Sequence, residues 1–97
     1  MQRGIRVTDR AFTLWAAANG LAYARLGLVV GRKHGSAVAR NRLKRILREA
    51  FRLSREELPT GLDLVIKPRV GVLRTMHDAR AALRRAVPRA AVLLRSG

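Results

Sequence analysis

The stretch Ala39-Arg40-Asn41-Arg42-Leu43-Lys44-Arg45-Ile46-Leu47-Arg48-Glu49-Ala50-Phe51-Arg52 sets the reading of the whole chain. Leu43, Ile46, Leu47, Ala50 and Phe51 recur at i, i+3, i+4, i+7 and i+8, the spacing of one helical face. At ~100° per residue they form a continuous apolar stripe. Asn41, Lys44, Arg45, Arg48 and Arg52 fall on the opposite face. Val38 falls on the wrong side of this wheel. Regular helix is therefore expected from Ala39 or Arg40, with Ser36 to Val38 leading into it.

The polar face is one-signed. Arg32 to Arg52 holds eight basic residues and one acid, Glu49. The wheel places Arg40 and Arg42 in the first helical turn, where positive charge opposes the helix dipole at a few tenths of a kcal/mol each. A phosphate would reverse that sign, because free N–H groups at a helix N-terminus bind anions. A local rule is broken where a polyanion would repair it.

Outward from this helix the pattern changes period. Within residues 5–17, Phe12, Leu14 and Ala16 alternate like one face of a strand. Asn19-Gly20 is a strong hairpin-turn pair. Tyr23 to Val30 reads as a second strand, with Leu26, Leu28 and Val30 in phase. Gly31 to Gly35 is a basic connection.

Downstream, Ser54 to Glu57 has capping-box spacing and predicts a short turn. Leu62 to Ile66 reads as a strand buried on both faces, ended by Pro68. Thr75 to Asp78 is another capping-box match. It introduces a helix with the stripe Ala79, Ala82, Leu83, Ala86 and Val87, which Pro88 is expected to end or kink. Residues 89–97 fit neither period, and a disordered tail is the expectation there. The fold class is α+β in one domain over residues 1–97. A single-layer sheet of about three to four strands, in the order strand, strand, helix, strand, helix, has its helices packed on one side. The crossover after the second strand is right-handed by default.

Composition bounds the function. The 97 residues carry 21 Lys+Arg against 6 Asp+Glu, a net charge of +15. That excess implies a polyanionic partner. The absence of cysteine excludes a disulfide scaffold and a Cys-based zinc site. No apolar run approaches the ~20 residues of a membrane span, and the N-terminus has no signal-peptide h-region, so the cytoplasm is the default. The six acids show no cluster for a two-metal nuclease site. His34 and His77 have no acid–base or metal partner at motif spacing, although His34 is placed to touch phosphate. The glycines at 27, 31 and 35 have the wrong spacing for a nucleotide-binding loop.

Arg25-Leu26-Gly27-Leu28-Val29-Val30-Gly31-Arg32-Lys33, Gly35-Ser36-Ala37-Val38-Ala39-Arg40-Asn41-Arg42-Leu43-Lys44-Arg45 and Arg48-Glu49-Ala50-Phe51-Arg52 together resemble the signature of the bacterial ribonuclease P protein component. The resemblance runs over about residues 4–87. It implies a partner, the ribonuclease P catalytic RNA, which itself hydrolyses the precursor tRNA to remove its 5′ leader, with Mg2+ held mainly by that RNA. No protein partner and no membrane are implied. The resemblance implies that Arg32, Lys33, Arg40, Asn41, Arg42, Lys44, Arg45, Arg48 and Arg52 bind RNA. It also implies that Phe12, with Lys33 beside it, lines a cleft for the single-stranded leader; an ordinary core role is the competing reading of Phe12. Trp15 and Tyr23 are expected to pack on the sheet, although Trp15 alternates away from Phe12 and Leu14, and exposure is its alternative reading. Members of the family usually begin with a further helix whose aromatic residues help line that cleft, and this sequence begins at residues that follow it. The family's crossover is left-handed, against the default. The alternative function is a structural ribosomal or RNA-chaperone-type protein with no role in cleavage.

Overall fold

Alternating apolar residues build the sheet. β1 (Ile5–Thr8), β2 (Phe12–Ala18), β3 (Arg25–Leu28) and β4 (Leu62–Pro68) form one four-stranded sheet in a computed structural model that describes residues 4–96. Their order across the sheet is β1-β2-β4-β3. β2 runs antiparallel to both β1 and β4, while β3 and β4 are parallel.

Three strand expectations need correction, two of them at turns. Residues 5–17 hold two strands, because Asp9 turns the chain: its carboxylate accepts the Ala11 N–H at 2.9 Å, and its own N–H donates to the Phe12 carbonyl at 2.9 Å. Asn19-Gly20 is a turn but closes no hairpin, since β4 lies between β2 and β3. Gly20 supplies the left-handed φ of 70°. The Asn19 side chain accepts from Leu21 N–H at 2.8 Å and donates to Asp63 at 3.0 Å. The loop is long enough to step across two strand spacings of ~4.8 Å each.

Side-chain phase gives the sheet two unlike faces. Val7, Phe12, Leu14, Ala16, Leu62, Leu64 and Ile66 share one face and are buried. On β4 the alternate residues Asp63 and Val65 are half-buried and Lys67 is exposed, so the strand is not buried on both faces as expected. β4 is central, but helices cover one face only.

Those helices are α1 (Ala37–Ser54) and α2 (Met76–Ser96). The α1 stripe sinks into the core toward its C-terminal end, where Leu47, Ala50 and Phe51 are buried while Leu43 and Ile46 are half-buried. At the start of α2, the Asp78 N–H donates to Thr75 Oγ1 at 3.1 Å and the Thr75 N–H donates to the Asp78 carboxylate at 3.2 Å, the reciprocal cap the spacing implied. All five residues of the α2 stripe are fully buried. Both helices and the buried sheet face share one core cluster.

Pro88 does not end α2, and residues 89–96 are helix rather than a disordered tail; Gly97 lies outside the described residues. A mid-helix proline removes one hydrogen bond and costs ~3 kcal/mol. Here Ala86 and Val87 before it and Ala90 and Ala91 after it are all buried. Core burial on both sides outweighs the local cost. Pro88→Ala is expected to raise the melting temperature by several degrees, at roughly 4–8 °C per kcal/mol for a chain this size. A lower melting temperature would mean that the core packs around a proline-dependent bend.

Asp9 also anchors α2 to the sheet. Its carboxylate accepts two hydrogen bonds from Arg85 at 3.1 and 2.9 Å, with only 5% of the Asp9 side chain exposed. Burial pushes the Asp9 carboxyl up, but the Arg85 and Ala11 hydrogen bonds and the charges of Arg85 and Arg10 together hold it below its ordinary value. A lowered carboxylate stabilises the fold above its unfolded pKa of ~3.9, and that stability is lost as pH falls through the folded value. Asp9→Asn is therefore expected to cost about 1–3 kcal/mol near neutral pH. Its stability should also fall less than wild type as denaturant titrations move from about pH 5 toward pH 2. Parallel pH curves for the two proteins would show that the pair contributes nothing.

Candidate nucleic-acid interface

α1 begins earlier than its apolar pattern suggested. Ser36 is the cap, its hydroxyl accepting the Ala39 N–H at 3.2 Å. Val38 is helical yet 79% exposed, which is why it spoiled the wheel. The earlier start moves Arg40 to the end of the first turn and Arg42 into the second. The helix-dipole penalty falls off within the first turn, so it is weaker here than expected.

The stronger argument is charge pairing. Asp9 holds Arg85, Glu49 holds Arg52, Glu57 holds Arg84 and Arg80, and Asp63 holds Arg25. Hydrogen bonding to these arginines lowers the Glu49, Glu57 and Asp63 carboxyls. Among the described residues, no acid pairs with Arg32, Lys33, Arg40, Arg42, Lys44, Arg45 or Arg48. Asn41, Lys44, Arg45, Arg48 and Glu49 line one shallow groove of about 440 Å³ on the outer side of α1. Arg52 lies farther along, bridged to Glu49 at 2.8 Å with both side chains largely exposed, a solvent-screened contact that is readily exchanged. Arg40 is half-buried, and its Nε is shielded from solvent without an acceptor. Such a donor costs ~1–3 kcal/mol until an acceptor arrives.

Arg32 and Lys33 stand exposed on a single 3₁₀ turn, Arg32–His34, just before the Ser36 cap. His34 fixes that turn. Its Nδ1 accepts the Gly31 N–H at 3.1 Å and its Nε2 lies 2.8 Å from the Pro68 carbonyl, which requires the ring proton on Nε2. Both nitrogens are engaged, so His34 braces the turn against the end of β4 rather than meeting phosphate.

Phe12 does not line a cleft. It is fully buried, in phase with Leu14 and Ala16 beneath the helices, so no part of its ring is offered to a base or set beside Lys33. The aromatic residue of the open face is Trp15, half-buried, with Arg6 on β1 and Val65 on β4 as cross-strand partners. Thr8, Thr13 and Lys67 form the next row, and Asp63 and Arg25 close the other side with a forked ion pair at 2.7 and 2.8 Å. Sequence reading omitted Arg6 and Lys67 from the site. Their signal was the odd phase they share with Trp15, once β1 and β2 are known to pair.

A second groove, about 510 Å³, lies at the start of α1 between His34, Ser36, Arg42 and the β4–α2 loop, which contributes Leu73 and Arg74. The half-buried Leu43 and Ile46 form its floor. No group of three His, Asp or Glu side chains converges as a metal-binding set among the described residues.

A family model described as Ribonuclease P matches residues 1–91. The ribonuclease P protein component of Thermotoga petrophila is 46% identical over 68 residues, covering 70% of this chain and 58% of that protein. That of Brevibacillus brevis is 40% identical over 94 residues, covering 95% of this chain and 75% of that protein. The solved RNase P protein from Thermotoga maritima superimposes with a TM-score of 0.78 at 34% identity, covering 87% of this chain and 84% of that one. The match to the T. petrophila protein thus spans less than two thirds of that relative's length. With the family model matching residues 1–91 of this chain and the same α+β sheet in a solved relative, the chain belongs to the ribonuclease P protein family.

Proposed function

We propose that this chain is the protein subunit of ribonuclease P, acting in the cytoplasm. It binds the catalytic RNA and assists removal of the 5′ leader from precursor tRNA. The observation that carries this reading is the run Arg40, Arg42, Lys44, Arg45 and Arg48 on α1, none of which has an acid partner among the described residues, while Asp9, Glu57 and Asp63 hold arginines off this helix and Glu49 takes only Arg52. Arg32 and Lys33 extend that surface past the N-terminus of the helix, and Asn41 adds a neutral donor and acceptor within it. Arginine's planar fork suits phosphate oxygens. Arg52 exchanges its bridge to Glu49 for phosphate.

Among the described residues, no three acids converge to offer Mg2+ a ligand set. Mg2+ takes oxygen ligands in near-octahedral geometry, and the carboxylates of Asp9, Glu49, Glu57 and Asp63 are held by guanidinium groups. The metal that ribonuclease P chemistry uses is assigned to the RNA, and so is hydrolysis. The open sheet face supplies the leader platform. Trp15 offers a stacking surface, and Arg6 and Lys67 supply a basic rim to a single strand. Among the described residues, no helix is long and apolar enough to cross a membrane.

Arg40→Ala combined with Arg45→Ala is expected to weaken binding to a bacterial ribonuclease P RNA. The dependence of log affinity on log salt should flatten by about two phosphate contacts, each worth ~0.7–0.9 in slope. Unchanged affinity and slope in the folded double variant would refute α1 docking. Trp15→Ala should leave that RNA affinity intact while weakening binding of leader-bearing precursor tRNA to the reconstituted holoenzyme, at about 1–3 kcal/mol for a stacked base. Equal affinity for precursor in both proteins would remove Trp15 from the site. Reconstitution at low magnesium tests the function as a whole: rescued precursor cleavage supports it, and RNA binding without rescue contradicts it.

A further inference from the structure

Of the four aromatic side chains, Phe12 and Phe51 are buried in the core and Trp15 belongs to the open sheet face. Tyr23 is left over. It is 50% exposed and borders a pocket of about 250 Å³ at the far end of α1. Phe51, Arg55, Glu56, Pro59 and Thr60 close that pocket. Arg55 lies with its guanidinium 5.3 Å from the centre of the Phe51 ring and forms no ion pair among the described residues. Arg48, Arg52 and Arg55 follow i, i+4, i+7 spacing, so the basic stripe of α1 runs into this pocket.

Glu56 is unusual in this chain. Asp9, Glu49, Glu57 and Asp63 each hold an arginine, yet Glu56 has no ion-pair or hydrogen-bond partner among the described residues. A free carboxylate in the pocket wall repels phosphate and accepts N–H donors. A half-exposed tyrosine ring adds a stacking surface for a planar base. The space is smaller than a typical ~300–1,000 Å³ cofactor site and suits one ring system.

We propose that this pocket receives one unpaired guanine of the RNA docked along α1; the proposal rests on the α1 docking reading above. The base stacks on Tyr23. Its N1–H and 2-amino group donate in parallel to the two Glu56 oxygens, the same forked match that a guanidinium makes with a carboxylate. Guanine alone among the four bases presents two adjacent donors on its pairing edge. Its flanking phosphates lie against Arg52 and Arg55. The site adds base selectivity to an interface otherwise built on phosphate contacts, which carry no sequence information.

The test uses the full chain and a bacterial ribonuclease P RNA probed with kethoxal, which modifies N1 and the 2-amino group of unpaired guanines. Wild type is expected to shield one unpaired guanine. Tyr23→Ala and Glu56→Ala should each restore its reactivity and lower RNA affinity roughly fivefold or more. The salt slope should stay unchanged, because no phosphate contact is lost. Tyr23→Phe keeps the ring and should retain protection. Unchanged protection in both alanine variants overturns the proposal, and so does a flattened salt slope, which would mark a phosphate contact instead. If Tyr23→Ala fails to fold, Glu56→Ala decides, since Glu56 is exposed and makes no contact that folding needs. The Arg40→Ala, Arg45→Ala protein separates the two readings. Loss of binding there with intact protection in the Tyr23 and Glu56 variants removes only the pocket; full binding there removes α1 docking itself.

Discussion

One-sided burial of the sheet is the constraint on which the structure depends. Both helices pack on the face formed by Val7, Phe12, Leu14, Ala16, Leu62, Leu64 and Ile66. Because strand residues alternate faces, that choice fixes where every neighbouring side chain stands. Trp15, Arg6, Val65 and Lys67 are left on the other side. The same choice gives each helix an inner and an outer side. The inner side of α1 carries Leu47, Ala50 and Phe51; its outer side carries the cations. Core and candidate interface are thus two results of a single packing decision.

Charge placement adds the second layer. With 21 cations and 6 acids, most arginines have no acid to meet, and the position of each acid decides which ones do. Glu57 holds Arg84 and Arg80 of α2, Asp9 holds Arg85 of α2, and Asp63 holds Arg25 at the sheet edge. Several of these pairs join elements distant in sequence, so they help assemble the fold while neutralising Arg80, Arg84 and Arg85 of α2. Among the described residues, Arg32, Lys33, Arg40, Arg42, Lys44, Arg45 and Arg48 form an uncompensated run along α1 and the turn before it. A surface of that kind is soluble but self-repelling, and a polyanion relieves the repulsion.

The helical stripes and the capping box at Thr75 to Asp78 were readable because local spacing determines them. The family signature lay in the same stretch, since the cations and Asn41 alternate along α1 with the side chains that face the core. Other features depended on partners distant in sequence. Asn19-Gly20 has the chemistry of a hairpin turn, but β4, some 45 residues on, takes the place beside β2. Pro88 reads as a helix end until the burial of Ala90 and Ala91 is known. For Phe12 the resemblance points to a cleft and strand phase allows an ordinary core role; its burial beneath the helices, which fits the core role, depends on which sheet face the helices cover. His34 looked free because its acceptor is a backbone carbonyl at Pro68, which no side-chain pattern reveals.

The central claim is that unpaired arginines on α1, and not the ion-paired arginines on α2, hold the RNA. Side-by-side salt titrations of ribonuclease P RNA binding by Arg48→Ala and Arg84→Ala test it most directly. The account predicts that Arg48→Ala loses about one phosphate contact from the slope while Arg84→Ala keeps the wild-type slope. A flattened slope for Arg84→Ala with an unchanged one for Arg48→Ala would contradict it.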